Sequence, residues 1–322
     1  MKLLNSLKEK IINGYKIKRE EALKLYDEDL DDLLSVADEV REGCVGNKVD
    51  LCSIINGKSG RCSENCKYCA QSAHFNTGIN EYELMDYEAI LQSALENQNE
   101  DVDRFSIVTS GKGLCGEDFN KILDFYTKLN KETSINLCAS HGIIEKKALE
   151  NLRSTGVKRY HHNIETSKNY YKDICSTHTY EDRIKTIKYA KEVGLEVCSG
   201  GIIGMGESRE DRVDMAIELR DIDVVSIPIN VLMPIKGTPL ENVNKLTEEE
   251  ILKTIAMFRL VNPKAQIRLA AGRNYMKGFG ERAFRGGANA TITGNLLTTC
   301  GNKIKDDKEL IKRLGLELNT KK

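Results

Sequence analysis

Residues 179–203 read TYEDRIKTIKYAKEVGLEVCSGGII, and this stretch decides the fold. Thr179 with Asp182 three residues later is a capping box, in which each side chain can bond the other residue's backbone N–H and so start a helix. A periodic helical run follows and stops at Gly194, a residue that takes the left-handed cap at little steric cost. A few residues on, Glu196 to Ile203 reads as a strand. Helix, glycine cap and strand together make one βα unit on a parallel sheet, and the same grammar recurs along the chain. Ser208 with Asp211 and Thr247 with Glu250 repeat the capping box, and Gly156 repeats the cap. Eight strands are predicted: Leu51 to Ile55, Arg104 to Thr109, Ile135 to Ala139, Arg159 to Ile164, Glu196 to Ile203, Val224 to Asn230, Gln266 to Ala271 and Ala288 to Thr293. Eight βα units in about 250 residues predict an α/β fold, a (β/α)8 TIM-type barrel with extra N-terminal helices. Residues 1–322 are expected to form a single domain: an N-terminal helical extension to residue 48, the barrel over about 49–300, and a C-terminal helix or tail over 301–322. The competing open doubly wound sheet lacks its Gly-x-Gly-x-x-Gly turn after the first strand.

Composition narrows the function. The 322 residues carry 48 Lys and Arg against 49 Asp and Glu, a formal net charge of −1. No basic block marks a nucleic-acid or membrane surface. Residues Met1 to Tyr26 interleave Leu and Ile with Lys and Glu at helical spacing. That pattern is not a signal peptide, and charges interrupt every apolar run short of the roughly 20 residues a membrane span needs. A cytoplasmic protein is expected. Ten cysteines in a reducing compartment point to metal or catalytic thiols rather than to disulfides.

Three of those thiols are concentrated in Cys62-Ser63-Glu64-Asn65-Cys66-Lys67-Tyr68-Cys69, a Cys-x3-Cys-x2-Cys loop just past the first strand. Soft thiolates favour zinc or iron–sulfur over calcium or magnesium. Three ligands on a four-iron cluster leave one iron open to a small molecule, whereas structural zinc sites fill four positions. A zinc loop completed by His74 is the bland alternative. The loop resembles the signature of the radical S-adenosylmethionine (SAM) superfamily, including the aromatic before the last cysteine. That resemblance implies that Cys62, Cys66 and Cys69 hold a [4Fe-4S] cluster, that SAM chelates its open iron, and that Tyr68 packs near the adenine.

A second group consists of polar residues inside predicted strands, where a barrel packs aliphatic side chains: Cys52, Ser106, Cys138, Cys198 and Arg268, on the first, second, third, fifth and seventh strands. Alternate strand residues point inward, so these can meet in the lumen. Taken singly, each cysteine is as well explained as a small buried hydrophobe. An arginine in the lumen requires anionic or multiple acceptor partners.

Further motifs narrow the resemblance to the biotin synthase family: Tyr160 to Ser167 (YHHNIETS), Val197 to Ile202 (VCSGGI), Ile227 to Asn230 (IPIN), Lys236 to Leu240 (KGTPL) and Arg268 to Arg273 (RLAAGR). The resemblance implies sulfur insertion into dethiobiotin. It also implies an auxiliary cluster, usually [2Fe-2S], on Cys138, Cys198, Arg268 and one further cysteine, whose place Ser106 takes here. A serine alkoxide is a poor ligand for thiophilic iron. Cys52 shares odd-numbered strands with Cys138, Cys198 and Arg268, so Cys52 is a candidate replacement, with a plainly packed Cys52 and a site completed by Ser106 or sulfide as the alternative. The same resemblance assigns Glu165 and Arg183 to SAM, and His161, Asn163 and Asn230 to dethiobiotin. His161 and Glu165 stand where the family commonly has Asn and Asp. A flavodoxin or ferredoxin as electron donor and a homodimer are implied as well.

Gly204-Met205-Gly206-Glu207 resembles a superfamily SAM-binding turn. Cys44, Cys115, Cys175 and Cys300 are read as thiols without a role, and His162 and His178 as structural or solvent-facing. Two competing functions remain: an iron-only hydrogenase maturase, which is a similar radical SAM barrel, and a non-catalytic iron–sulfur or zinc protein.

Overall fold

The computed structural model describes residues 2–297 and 301–319; the remaining cysteine, Cys300, lies outside them. In chain order the strands are β1 (Lys48–Lys58), β2 (Arg104–Thr109), β3 (Asn136–Ser140), β4 (Arg159–His161), β5 (Glu196–Cys198), β6 (Gly201–Ile203), β7 (Ser226–Val231), β8 (Gln266–Leu269), β9 (Ala290–Ile292) and β10 (Glu317–Leu318). All pair in parallel, each with its neighbour, and β9 returns to β1 through Asp50, Leu51 and Cys52. The result is a closed eight-stave barrel. β10 adds itself outside, against the start of β1.

The fifth stave is two short strands, β5 and β6, rather than the single predicted run. β5 meets β7 at Ser226, and β6 meets β7 from Ile229 onward. Between them Pro228 has no N–H to give the ladder. Its carbonyl oxygen also stands 1.9 Å from where a Cβ on Gly200 would sit. Only glycine permits that approach, and the ladder breaks there.

The local signals behave as their chemistry predicts. Thr179 and Ser208 form complete capping boxes. Thr247 forms half of one: its hydroxyl accepts from the Glu250 N–H, but the Glu250 carboxylate is drawn to Arg209 and Arg212. Gly194 takes φ +79° and closes its helix with an N–H donated to Lys191. The N-terminal stretch splits into helices Lys2–Ile12 and Arg19–Lys24, followed by the helix Leu30–Val45. The last two cover the helix Glu248–Val261, which is buried all round from Ile251 to Val261 because they take its solvent side, while Lys2–Ile12 packs on Leu30–Val45.

Along the staves, side chains alternate between helices and lumen. Phe105 and Ile107 face outward into the aliphatic core, fully buried. Arg104, Ser106 and Val108 face the central cavity. The two-residue period therefore places polar groups inside wherever the sequence has them at inward positions.

Candidate active site

The cavity opens at the carboxyl ends of the strands and offers about 390 Å³ of room, within the range of small-molecule sites. At its mouth, the loop after β1 folds on itself. The Cys62 N–H donates to Gln71, the Ala73 N–H to Cys62 and the Cys69 N–H to Cys66. A second anchor is the segment Ile174 to His178. The Lys67 N–H donates to the Ile174 carbonyl at 2.9 Å, the Asn65 N–H to Thr177 Oγ1 at 3.1 Å, and Asn65 Nδ2 to Ser176 Oγ at 2.7 Å. So held, Cys62, Cys66, Tyr68 and Cys69 all line the cavity. Burial pushes the Cys69 thiol up to about 11 and raises Cys62 as well, so a metal has to displace protons to bind here. His74 does not join them; its Nε2 lies 2.9 Å from the Ser63 carbonyl.

Behind the loop stand two residues that the sequence reading left without a role. Cys175 Sγ lies 3.6 Å from Cys66 Sγ and 3.3 Å from His178 Nδ1, and both residues are buried. The hydrogen bond between the thiols pushes Cys66 up and pulls Cys175 down. The signal that could have found them is Cys175-Ser176-Thr177-His178, a Cys-x2-His spacing of metal-site type. Cys44 is half-buried and Cys115 exposed, and neither lines the cavity.

Glu165, which also lines the cavity, takes φ +72°, a conformation costing a non-glycine residue about 1–3 kcal/mol and typical of binding sites. Its N–H reaches Gly200 and its carbonyl accepts from Ile202, which locks it. Its carboxylate meets Arg183 Nη1 at 3.2 Å and Asn163 Nδ2 at 3.3 Å. Arg183 also donates to the Tyr171 hydroxyl, the Asn163 carbonyl and His178 Nε2. Asn163 accepts from the Gly200 N–H at 3.0 Å. Asn230 donates to the Gly201 carbonyl and accepts from the Ala271 N–H. Both asparagines line the cavity, and each retains one donor hydrogen for a guest. The Gly204 turn is built differently: Glu207 accepts from its own turn's N–H groups at 2.7 Å and pairs with Arg212, away from the cavity.

The floor gathers the second group. Cys52, Cys138, Cys198, Ser106 and Arg268 all line the same cavity. In the ladders Ser106 sits directly beside Cys138, while Cys52 pairs with Arg104, two residues before Ser106. Ser106 Oγ is buried with no hydrogen-bond partner. Burial raises the Cys52 thiol to about 12, against the pull of Arg268. Burial works the same way on Cys198, but the His161 hydrogen bond and the charges of His161, Arg268 and Arg159 outweigh it and bring that thiol down to about 6. Arg268 uses every N–H it has. It pairs with the Asp50 carboxylate, reaches the Thr291 and Asp50 carbonyls at 2.9 and 3.3 Å, and meets Ser226 Oγ and Gln266 Oε1 at 3.3 Å. The buried Asp50 carboxylate raises the Arg268 guanidinium further, against the opposing pull of burial.

Comparison with known proteins gives these features a family. Residues 58–219 match the radical SAM superfamily model, and residues 228–317 match the Biotin and Thiamin Synthesis associated domain. The biotin synthase of Clostridium perfringens is 60% identical over 99% of this chain and 100% of its own length. The chain belongs to the biotin synthase family. The biotin synthase of Clostridium tetani is 54% identical, covering 98% of this chain and 99% of its own. Among solved structures, methylornithine synthase superposes with a TM-score of 0.85 at 21% identity, covering 97% of both chains. The [FeFe]-hydrogenase maturase HydG superposes at 0.83 and 18% identity, covering 98% of this chain and 75% of its own; at these identities the likeness is one of fold. Membership in the biotin synthase family, and not the maturase reading, carries the activity, and it brings a [4Fe-4S] cluster and SAM. The residues fit that cluster: the mouth presents three thiols of one loop. The floor fits a thiophilic guest too, with three further thiols and the orphaned Ser106 hydroxyl turned toward one space.

Proposed function

We propose that this biotin synthase, which inserts sulfur into dethiobiotin, works through two thiol sites in one cavity, the first on Cys62, Cys66 and Cys69 and the second on Cys52, Cys138 and Cys198. The observation that carries the proposal is that both triads line a single cavity, so a radical made at the mouth meets its substrate before reaching solvent. Cys62, Cys66 and Cys69 would hold the [4Fe-4S] cluster, which when bound would supply reductive, radical-generating chemistry to SAM. The chain's own part is binding, orientation and exclusion of water. Tyr68 covers the loop side of SAM. Arg183 offers its charge to the SAM carboxylate, and Glu165, held by its locked backbone, offers its carboxylate to the ribose. Asn163 and Asn230 turn their remaining amide hydrogens to the ureido oxygen of dethiobiotin, and His161 contacts the same substrate from beside Cys198. At the floor, the depressed Cys198 thiol is ready to bind iron. Arg268 supports that second, auxiliary cluster as a neighbouring charge fixed by Asp50. A [2Fe-2S] cluster is the family habit, and the changed ligand set favours another type. Residues 1–322 act as one unit in this scheme, with a flavodoxin or ferredoxin as electron donor. The working form is a cytoplasmic homodimer. Among the described residues no helix is long and apolar enough to cross a membrane.

One variant tests the first site and two test the second. Cys66→Ala abolishes 5′-deoxyadenosine formation, because two thiolates cannot retain the cluster with a single open iron; substantial formation overturns the assignment. For the floor, iron and sulfide are counted in Cys52→Ala and Ser106→Ala beside the parent. Cys52→Ala loses the auxiliary iron and Ser106→Ala keeps nearly all of it. The reverse result returns the site to Ser106.

A further inference from the structure

Among the described residues one pair of thiols lies within hydrogen-bonding distance, Cys66 and Cys175, with Sγ atoms 3.6 Å apart. Their backbones are tied side by side, since the Lys67 N–H donates to the Ile174 carbonyl at 2.9 Å. Cys66 faces the cavity, whereas Cys175 does not line it and stands behind Cys66 at the end of the helix Lys168–Ile174. Cys66, Cys175 and His178 are close enough to share an ion, but the histidine is committed elsewhere. His178 Nδ1 lies 2.6 Å from Glu64 Oε2, and its Nε2 accepts from Arg183 Nη2 at 3.0 Å. Ligation through Nδ1 would move the proton to Nε2 and set it against the arginine donor. What remains is a thiol pair, one member open to small molecules and one held in reserve.

We propose that Cys66 and Cys175 form a reversible disulfide when the cluster is absent, with Cys175 as the resolving thiol. The proposal rests on Cys66 being a cluster ligand only for its condition: iron on the Cys66 sulfur blocks attack there. The oxidant is a small-molecule disulfide of the glutathione class. Cys66, the member open to the cavity, gives up its proton to the departing thiolate as its sulfur attacks the oxidant, whose S–S bond breaks to release one reduced thiol. Cys175 then attacks the Cys66 sulfur of the mixed disulfide, its proton passing to the second thiol that leaves. Two protons and two electrons pass from the protein thiols to the oxidant, which is reduced to two thiols. The closed pair keeps Cys66 from oxidation to sulfinic acid, an irreversible step. Dithiol reductants reopen it for cluster assembly.

The test uses the full-length chain, stripped of iron by a chelator without oxygen and treated with oxidised glutathione. Trypsin digestion without reduction cuts after Arg61, Lys67, Lys172 and Arg183, so residues 62–67 and 173–183 leave as separate peptides. Mass spectrometry should find these two joined through Cys66 and Cys175 as the main product, and dithiothreitol should release them. In Cys175→Ser the joined peptide disappears and glutathione persists on Cys66; its yield of sulfinic acid on air exposure rises several-fold. Cys66 linked instead to Cys62 or Cys69, or left carrying glutathione in the parent, overturns the proposal. A parent that forms the pair while Cys66→Ala keeps its SAM-cluster iron leaves the disulfide standing and removes the cluster assignment, so the two failures are distinguishable.

Discussion

The Asp50–Arg268 pair at the barrel floor gives a measurable energy. Both side chains are at most 3% exposed, and removing one partner of a buried pair costs about 3–5 kcal/mol because the other charge is stranded. Arg268→Met leaves Asp50 with Arg104, whose Nε is 3.2 Å away, so the loss falls near the low end, about 3 kcal/mol. Asp50→Asn strands the guanidinium among neutral acceptors, two carbonyls, Ser226 Oγ and Gln266 Oε1, and costs a similar amount. The double variant removes both charges together. It should cost about 3–4 kcal/mol rather than the sum, a coupling of about 2–3 kcal/mol, at the upper end for contacting residues. Urea denaturation of the four chains under anaerobic conditions, followed by far-ultraviolet circular dichroism, measures the cycle. If the single costs add within about 0.5 kcal/mol, Asp50 is not what holds Arg268, and the case for the arginine as a fixed charge rather than a ligand falls with it.

Gly200→Ala places a Cβ about where the Pro228 carbonyl oxygen now lies, at 1.9 Å. Backbone on both sides leaves nothing flexible to yield, so a loss of more than about 4 kcal/mol, or no soluble protein, is expected; a midpoint within error of the parent would show that the fifth stave is not pinned there. Burial raises the Asp103 carboxyl from 3.8 to about 7 even though it accepts the Leu51 N–H. A raised carboxyl favours folding while protonated, so its contribution is complete below about pH 4 and is lost as pH rises through 7. Asp103→Asn should flatten the stability profile between those limits, and an unchanged slope refutes the shift. Asn230→Ala should leave SAM binding intact and weaken dethiobiotin by about 1–3 kcal/mol in a titration of the loaded enzyme, while unchanged affinity removes Asn230 from the substrate site.

The barrel was legible because its signals are local. A capping box spans three residues, and strand parity fixes which face a side chain takes, so Thr179, Ser208 and the inward set Cys52, Ser106, Cys138, Cys198 and Arg268 could be placed from sequence alone. What parity does not supply is height along the barrel axis. That depends on register between strands, which puts Ser106 beside Cys138 and Cys52 two residues lower on the β2 ladder. The break at Gly200 was hidden for the same reason, since its cause is Pro228 on another stave. The role of Cys175 is not legible in the sequence. It stands 109 residues from Cys66, and a lone cysteine after a helix is usually inert. The bonds from Lys67 to Ile174 and from Asn65 to Ser176 and Thr177 give it a partner. The Ser106 position shows the converse: a departure from family pattern, read locally as a lost ligand, becomes informative once the floor shows Cys52 turned into the same space. A sequence can name the thiols that face inward, but which three share a guest is decided by strand stagger.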